Sequence, residues 1–215
     1  MITHLINWLL HLDVHLLAFS QVHGAWVYVL LFSIIFIETG VVILPFLPGD
    51  SLLFVAGAIA ARGAFPLSVV MPLLIVAAVL GDALNFWLGS RFGHRILAKG
   101  WRWPKAEHLR LTHEFFERHG GKTIFLARFV PIIRTLAPFV AGMGAMSYRR
   151  FAMWNVTGAI TWVVVVAVAG YLFGNIAWVQ RNFTAALLGI IVISLLPGVF
   201  VGLKNWWQGR KASAH

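Results

Sequence analysis

Apolar positions in this chain fall into long blocks, and several of these blocks hold a charge beside a proline or glycine. Leu5, Leu9, Leu12 and Leu16 recur at helical spacing among polar His11, Asp13 and His15, which predicts an interfacial amphipathic helix over residues 1–20. An apolar run from Trp26 to Phe46 follows, interrupted by Glu38 and ended by Pro48-Gly49-Asp50. The next apolar piece, Ser51 to Ala61, has 11 residues. As a helix it would reach roughly 17 Å, short of a hydrocarbon core of about 30 Å. The pattern therefore predicts a first re-entrant hairpin over 26–61, turning near Pro45, Pro48 and Gly49. Non-helical backbone at that depth has to face protein or water, because lipid cannot satisfy its polar groups.

Further along, 67–90 reads as a span interrupted by Gly81-Asp82 near its far end, and 91–122 as a basic segment with a helix from near Pro104 to a stop at Gly120-Gly121. Residues 123–146 form the second interrupted apolar stretch, holding Arg128, Pro131, Arg134, Pro138 and Gly142. Two more spans are expected at 151–173 and 185–203, followed by a short basic tail, 204–215. The whole chain, 1–215, reads as one membrane domain.

Composition fits this reading. The chain is 60% hydrophobic and 11% charged, with mean hydropathy +0.84, outside the range of soluble domains. Its 215 residues allow about five to seven segments at roughly 20 residues each. Cysteine is absent, which removes disulfides, thiolate metal sites and thiol nucleophiles. Met1–Ser20 has neither a basic n-region nor a small-residue cleavage site, so it is not read as a signal peptide.

The net charge of +10 would suit nucleic acid, but its distribution points elsewhere. No Lys or Arg precedes Arg62, while eight fall between Arg91 and Lys122. That is the asymmetry of the positive-inside rule, with an anionic cytoplasmic leaflet as the partner and no nucleic acid. If 123–146 crossed once, Arg149, Arg150, Lys204, Arg210 and Lys211 would land opposite the large basic loop; if it dips and returns, all share its side. The dip is favoured. The expected fold is thus an all-α polytopic membrane protein with two opposed re-entrant hairpins in inverted-repeat topology. About three to four spanning helices and the interfacial helix complete it, with loop 91–122 and the C-terminus cytoplasmic.

Four charges sit at membrane depth, where each costs a few kcal/mol unless it is paired, lines a cavity or handles substrate. Glu38 lies 12 residues after Trp26 and Asp50 lies 12 before Arg62, which puts both roughly 18 Å along a helix. Two acids meeting there cannot both stay ionised comfortably, so the pair is expected to bind a proton reversibly. Arg128 and Arg134 approach from the other side around Pro131, each with a planar fork suited to phosphate. Simpler roles stand beside this one. Salt bridges between these acids and arginines would merely hold the hairpins together. Asp50 would serve as an N-cap for 51–61. Asp82 suits structural pairing with an arginine such as Arg91.

Little else carries chemistry. His4, His11 and His15 share a helical face without a metal-ligand pattern, and His113-Glu114 lacks a second His at the zincin spacing. No phosphate loop, nucleophile elbow or dinucleotide fingerprint occurs. No metal, no cofactor and no enzymatic activity are expected.

Taken in order, Glu38-Thr39-Gly40, Pro45-Phe46-Leu47-Pro48-Gly49-Asp50, Gly81-Asp82, Gly89, Gly93, Arg128-Phe129-Val130-Pro131-Ile132-Ile133-Arg134, Pro138, Ala141-Gly142, Asn155, Gly158 and Trp162 resemble the DedA family of bacterial inner-membrane proteins, relatives of the eukaryotic VTT-domain lipid scramblases. The resemblance covers roughly residues 25–175. It implies a carrier of lipid phosphates in the bacterial inner membrane, foremost undecaprenyl phosphate, linked to proton motive force. The family's important acids and arginines align with Glu38, Asp50, Arg128 and Arg134.

The combined expectation is a flippase of a polyprenyl phosphate: Arg128 and Arg134 bind the phosphate, Glu38 and Asp50 exchange protons, and Asp82 and Asn155 support them. A homo-oligomer is compatible with this. The rival readings are a passive phospholipid scramblase and a proton-coupled transporter of a small ion or drug.

Overall fold

The computed structural model describes residues 24–41, 49–98 and 106–176, together with 179 and 189. The expected interfacial helix 1–20, the apex residues Pro45 and Pro48, the span 185–203 apart from residue 189, and the tail 204–215 lie outside these residues. Every element within them is helical.

Helix α1, Trp26–Gly40, buries Val27, Leu31, Ile35 and Glu38 along one stripe and leaves Trp26, Val29 and Ile37 exposed. It ends where Val41 turns extended, its N–H still bonded to the Ile37 carbonyl at 2.9 Å. Helix α2, Gly49–Ala61, is buried nearly throughout, which explains why its sequence is apolar on all sides. It closes at Gly63, whose φ of +80° suits a residue without Cβ.

Helix α3, Leu67–Ala98, is the central element and would extend about 48 Å. It passes the expected boundary at residue 90 and runs on through Gly93 to Ala98, so the start of the basic segment continues the span. Helix α4, Ala106–His119, stops at Gly120 (φ +56°), where the sequence places its stop. A 3₁₀ turn, Gly120–Lys122, leads into the short α5, Thr123–Ala127. After a turn at 128–130, α6 runs Pro131–Val140 and widens into a π turn, Ala141–Ala145. Helix α7, Tyr148–Gly174, completes the described fold.

The two legs of the expected first hairpin hardly touch each other. Instead, α1 packs along α3 and α2 along α7. A thirteen-residue apolar helix buries more of its surface against a long partner than against a second short leg. The α2–α7 approach is close because two glycines remove side chains from it. A Cβ at Gly57 would collide with the Ala167 carbonyl, and one at Gly170 with that of Phe54. One apolar cluster fills the space among α1, α2, α3 and α7, with Leu31, Leu53, Leu74 and Val163 fully buried. A second joins Phe116, Ile124, Ala137 and Phe151.

Two described helices are long and apolar enough to cross a membrane, Leu67–Gly93 within α3 and Tyr148–Gly174. Their outward faces carry large apolar residues, Val69, Val76, Leu80 and Trp87 on α3 and Met153, Val156, Ile160 and Val164 on α7. Continuous apolar exposure of this kind fits a hydrocarbon surrounding.

Candidate functional site

Pro131 sets up the site. Val130 before it is extended, as a residue preceding proline prefers, and Pro131 opens α6 with a fixed φ and no amide to leave unpaired. Arg134 closes that first turn through its N–H to the Val130 carbonyl, 2.8 Å. Its guanidinium then meets two acids from separate segments. Nη2 donates to Glu38 Oε1 at 2.8 Å and Nη1 to Asp50 Oδ1 at 3.0 Å. Glu38 and Arg134 side chains are 7% and 9% exposed, whereas Asp50 is 31% exposed. Among the described residues, one cation thus faces two carboxylates here.

Glu38 reaches this position because Gly49 is a glycine. A Cβ at residue 49 would occupy the space of the Glu38 carboxylate. Glu38 Oε2, buried there, lies against Gly49, the first residue of α2, where helix N–H groups and dipole favour negative charge. Asp50 sits in the first turn of α2 and not at its cap, and its Oδ1 is spent on side chains. The N-cap reading is therefore corrected: the helix begins at Gly49, two residues before the apolar run.

Arg128 is held elsewhere. Its Nη2 bonds Asp82 Oδ2 and also Asn155 Oδ1 at 2.6 Å, while Asn155 Nδ2 donates to the Val79 carbonyl at 3.1 Å. This is a one-to-one ion pair between side chains 3% and 7% exposed. Asp82 therefore pairs with an arginine, as expected, and that arginine is Arg128 and not Arg91. Arg91 is nine positions further along the same helix, about 13 Å away by helical rise.

Of the residues expected at hairpin turns, Gly49 begins α2 and Pro131 begins α6 directly after a turn. Pro138 and Gly142 are not at turns. Pro138 lies inside α6, and Gly142 lies in the π turn against the Phe86 carbonyl. The missing amide of Pro138 leaves a gap in the helical ladder, and the wider turn follows directly.

Two side chains that the charge pattern gives no role complete the arrangement. Trp162 Nε1 donates to Asp50 Oδ1 at 2.7 Å, and its ring lies 4.3 Å from Arg134 Cζ and 5.8 Å from Arg128 Cζ. Its signal is a tryptophan in the middle of a span, away from the interfaces where tryptophans collect. Asn85, fully buried, donates its amide to the carbonyls of Thr39 (3.2 Å) and Thr135 (2.9 Å), tying α1 and α6 to α3. Its signal is a polar residue one turn beyond Asp82 inside an apolar span.

The site sets one arginine against two carboxylates where α1, α2 and α6 meet. Comparison with known proteins agrees with a membrane role. Residues 47–172, more than half of the chain, match the VTT domain. Protein DedA of Escherichia coli (strain K12) is 53% identical, with 99% of each chain covered. An uncharacterized membrane protein of Mycobacterium leprae is 40% identical over 84% of this chain and 80% of its own. Inner membrane protein YghB of Escherichia coli (strain K12) is 36% identical over 82% of each. No solved structure matches the chain. A domain match of this extent, with full-length identity above half to Protein DedA, places the chain in the VTT-domain, or DedA, family of membrane proteins.

Proposed function

We propose that this protein is a proton-linked flippase of a polyprenyl phosphate, undecaprenyl phosphate in a bacterial inner membrane. The observation that carries this reading is the sharing of the Arg134 fork by Glu38 and Asp50. A phosphate monoester can accept from both nitrogens of the fork, which the two acids hold one each. As it binds, a freed carboxylate takes up a proton, so the site exchanges an acid–arginine contact for a phosphate–arginine contact plus a bound proton. Release on the other side reverses the exchange. Arg128 adds its charge to the phosphate once Asp82 lets go of Nη2. The polyprenyl tail stays in hydrocarbon throughout.

In this reading the segments 26–61 and 123–146 are opposed re-entrant hairpins in an inverted repeat, and the basic loop 91–122 and the C-terminus face the cytoplasm. The broken helices support it, because helix ends and turns at depth are where transporters place their sites.

The test is headgroup accessibility of undecaprenyl phosphate in sealed proteoliposomes, with and without an imposed pH gradient. Gradient-driven movement is expected in the wild type and lost in folded Glu38→Gln and Arg134→Ala. Movement indifferent to the gradient and broad in headgroup would make the protein a passive phospholipid scramblase. Transport of a water-soluble ion or drug alone would remove the lipid from the account.

A further inference from the structure

We propose that Trp162 is a positioning residue that holds Asp50 in place while Arg134 changes partners. This rests on the exchange at Arg134 described above, and it assigns Trp162 a role that the charge pattern does not require. Asp50 Oδ1 accepts two hydrogen bonds, from Arg134 Nη1 at 3.0 Å and from Trp162 Nε1 at 2.7 Å. If Arg134 turns to a phosphate, Glu38 Oε1 loses its hydrogen bond, while Asp50 keeps the indole donor. The two acids are therefore not equivalent: one is fixed to α7, and the other is held at its carboxylate by the mobile cation.

The indole also carries the cation itself. Arg134 Cζ lies 4.3 Å from the ring centroid, within the range of a cation–π contact, and a desolvated contact of this type is among the stronger ones. A guanidinium resting on a ring can swing its fork without giving up that contact, because the ring has no directional acceptor. Trp162 is 2% exposed and sits in the α7 face that packs against the buried α2, so its own orientation is fixed. Hydrogen bond and ring face belong to one rigid side chain. The distance between the Asp50 carboxylate and the Arg134 guanidinium is thus set by the dimensions of the indole.

The experiment separates the two parts of the side chain. Trp162→Phe keeps an aromatic face and removes the donor. Trp162→Tyr fills more of the volume with its polar atom displaced. Purified full-length proteins are treated with dicyclohexylcarbodiimide, a hydrophobic reagent for membrane carboxyls, and labelling at residues 38 and 50 is quantified by mass spectrometry. Loss of one hydrogen bond to Asp50 predicts about fivefold faster labelling there in both variants, with Glu38 changed less than about twofold. In proteoliposomes the maximal gradient-driven rate for undecaprenyl phosphate should fall about tenfold, while its half-saturating concentration stays within about twofold, because the headgroup still meets Arg134 on a ring. A space-filling tryptophan would move neither the site-selective labelling nor this split. Wild-type labelling of Asp50 in either folded variant overturns the proposal. Labelling needs no transported lipid, so failure of the wild type to move undecaprenyl phosphate would count against the proposed function alone.

Discussion

Arg128 and Arg134 stand six positions apart on either side of Pro131, yet different acids hold them. Arg134 bridges Glu38 and Asp50, whereas Arg128 is paired with Asp82 and Asn155. The first group carries one cation for two acids and the second is balanced. An unbalanced group can take up a proton or surrender a carboxylate readily; a balanced buried pair does either only at greater cost.

The two arginines should therefore fail differently. Arg128→Ala leaves Asp82 buried without its counter-charge, which is expected to cost about 3–5 kcal/mol and to lower the thermal midpoint in detergent. Arg128→Met combined with Asp82→Leu should recover most of that loss, because the pair is removed together. Arg134→Ala should be inactive and less destabilising than Arg128→Ala, because Asp50, 31% exposed, keeps water and the Trp162 donor, and Glu38 can take up a proton in place of its lost ion pair. Equal unfolding of both alanine variants would remove the distinction.

Gly49 is predicted to be intolerant of the smallest side chain. The methyl group of Gly49→Ala would occupy the position of the Glu38 carboxylate and push it from Arg134. A loss of about 1.4 kcal/mol in that contact corresponds to about a tenfold drop in transport. Adding Glu38→Asp, which retracts the acid by one methylene, should restore part of the activity. Transport assays on the single and double variants check this; full activity in Gly49→Ala would contradict the geometry.

Asn85 is predicted to be a structural joint. Asn85→Ala leaves the Thr39 and Thr135 carbonyls without their shared donor and should cost about 1–3 kcal/mol. Asn85→Asp should be worse, since it turns an oxygen toward two carbonyl oxygens. Limited proteolysis and thermal unfolding would read the order wild type, alanine, aspartate.

Much of this was legible from pattern alone. Counting residues from Trp26 and Arg62 put Glu38 and Asp50 at one depth, and the structure joins both to Arg134. Depth is only one coordinate, however. It gave Arg128 the same standing as Arg134, while the turn at 128–130 separates them, placing Arg128 before α6 and Arg134 within it. Asp82 and Arg128 are 46 positions apart, and nothing local links them. Pro138 and Gly142 looked like turn residues because proline and glycine usually break helices, but a widened helical turn absorbs both. Trp162 stands among the residues of the family resemblance and lies in mid-span, but an aromatic residue carries no charge for the depth argument to assign a role.

The central claim is that a phosphate replaces a carboxylate at Arg134 and that the carboxylate then takes a proton. Its most direct measure is the number of protons bound when the lipid binds. Calorimetric titration with undecaprenyl phosphate, in buffers of different ionisation enthalpy near neutral pH, gives that number. The account predicts uptake of about one proton per lipid in the wild type, by charge balance at the site, and markedly less in Glu38→Gln with binding retained. Tight binding by the wild type with no proton uptake would contradict it.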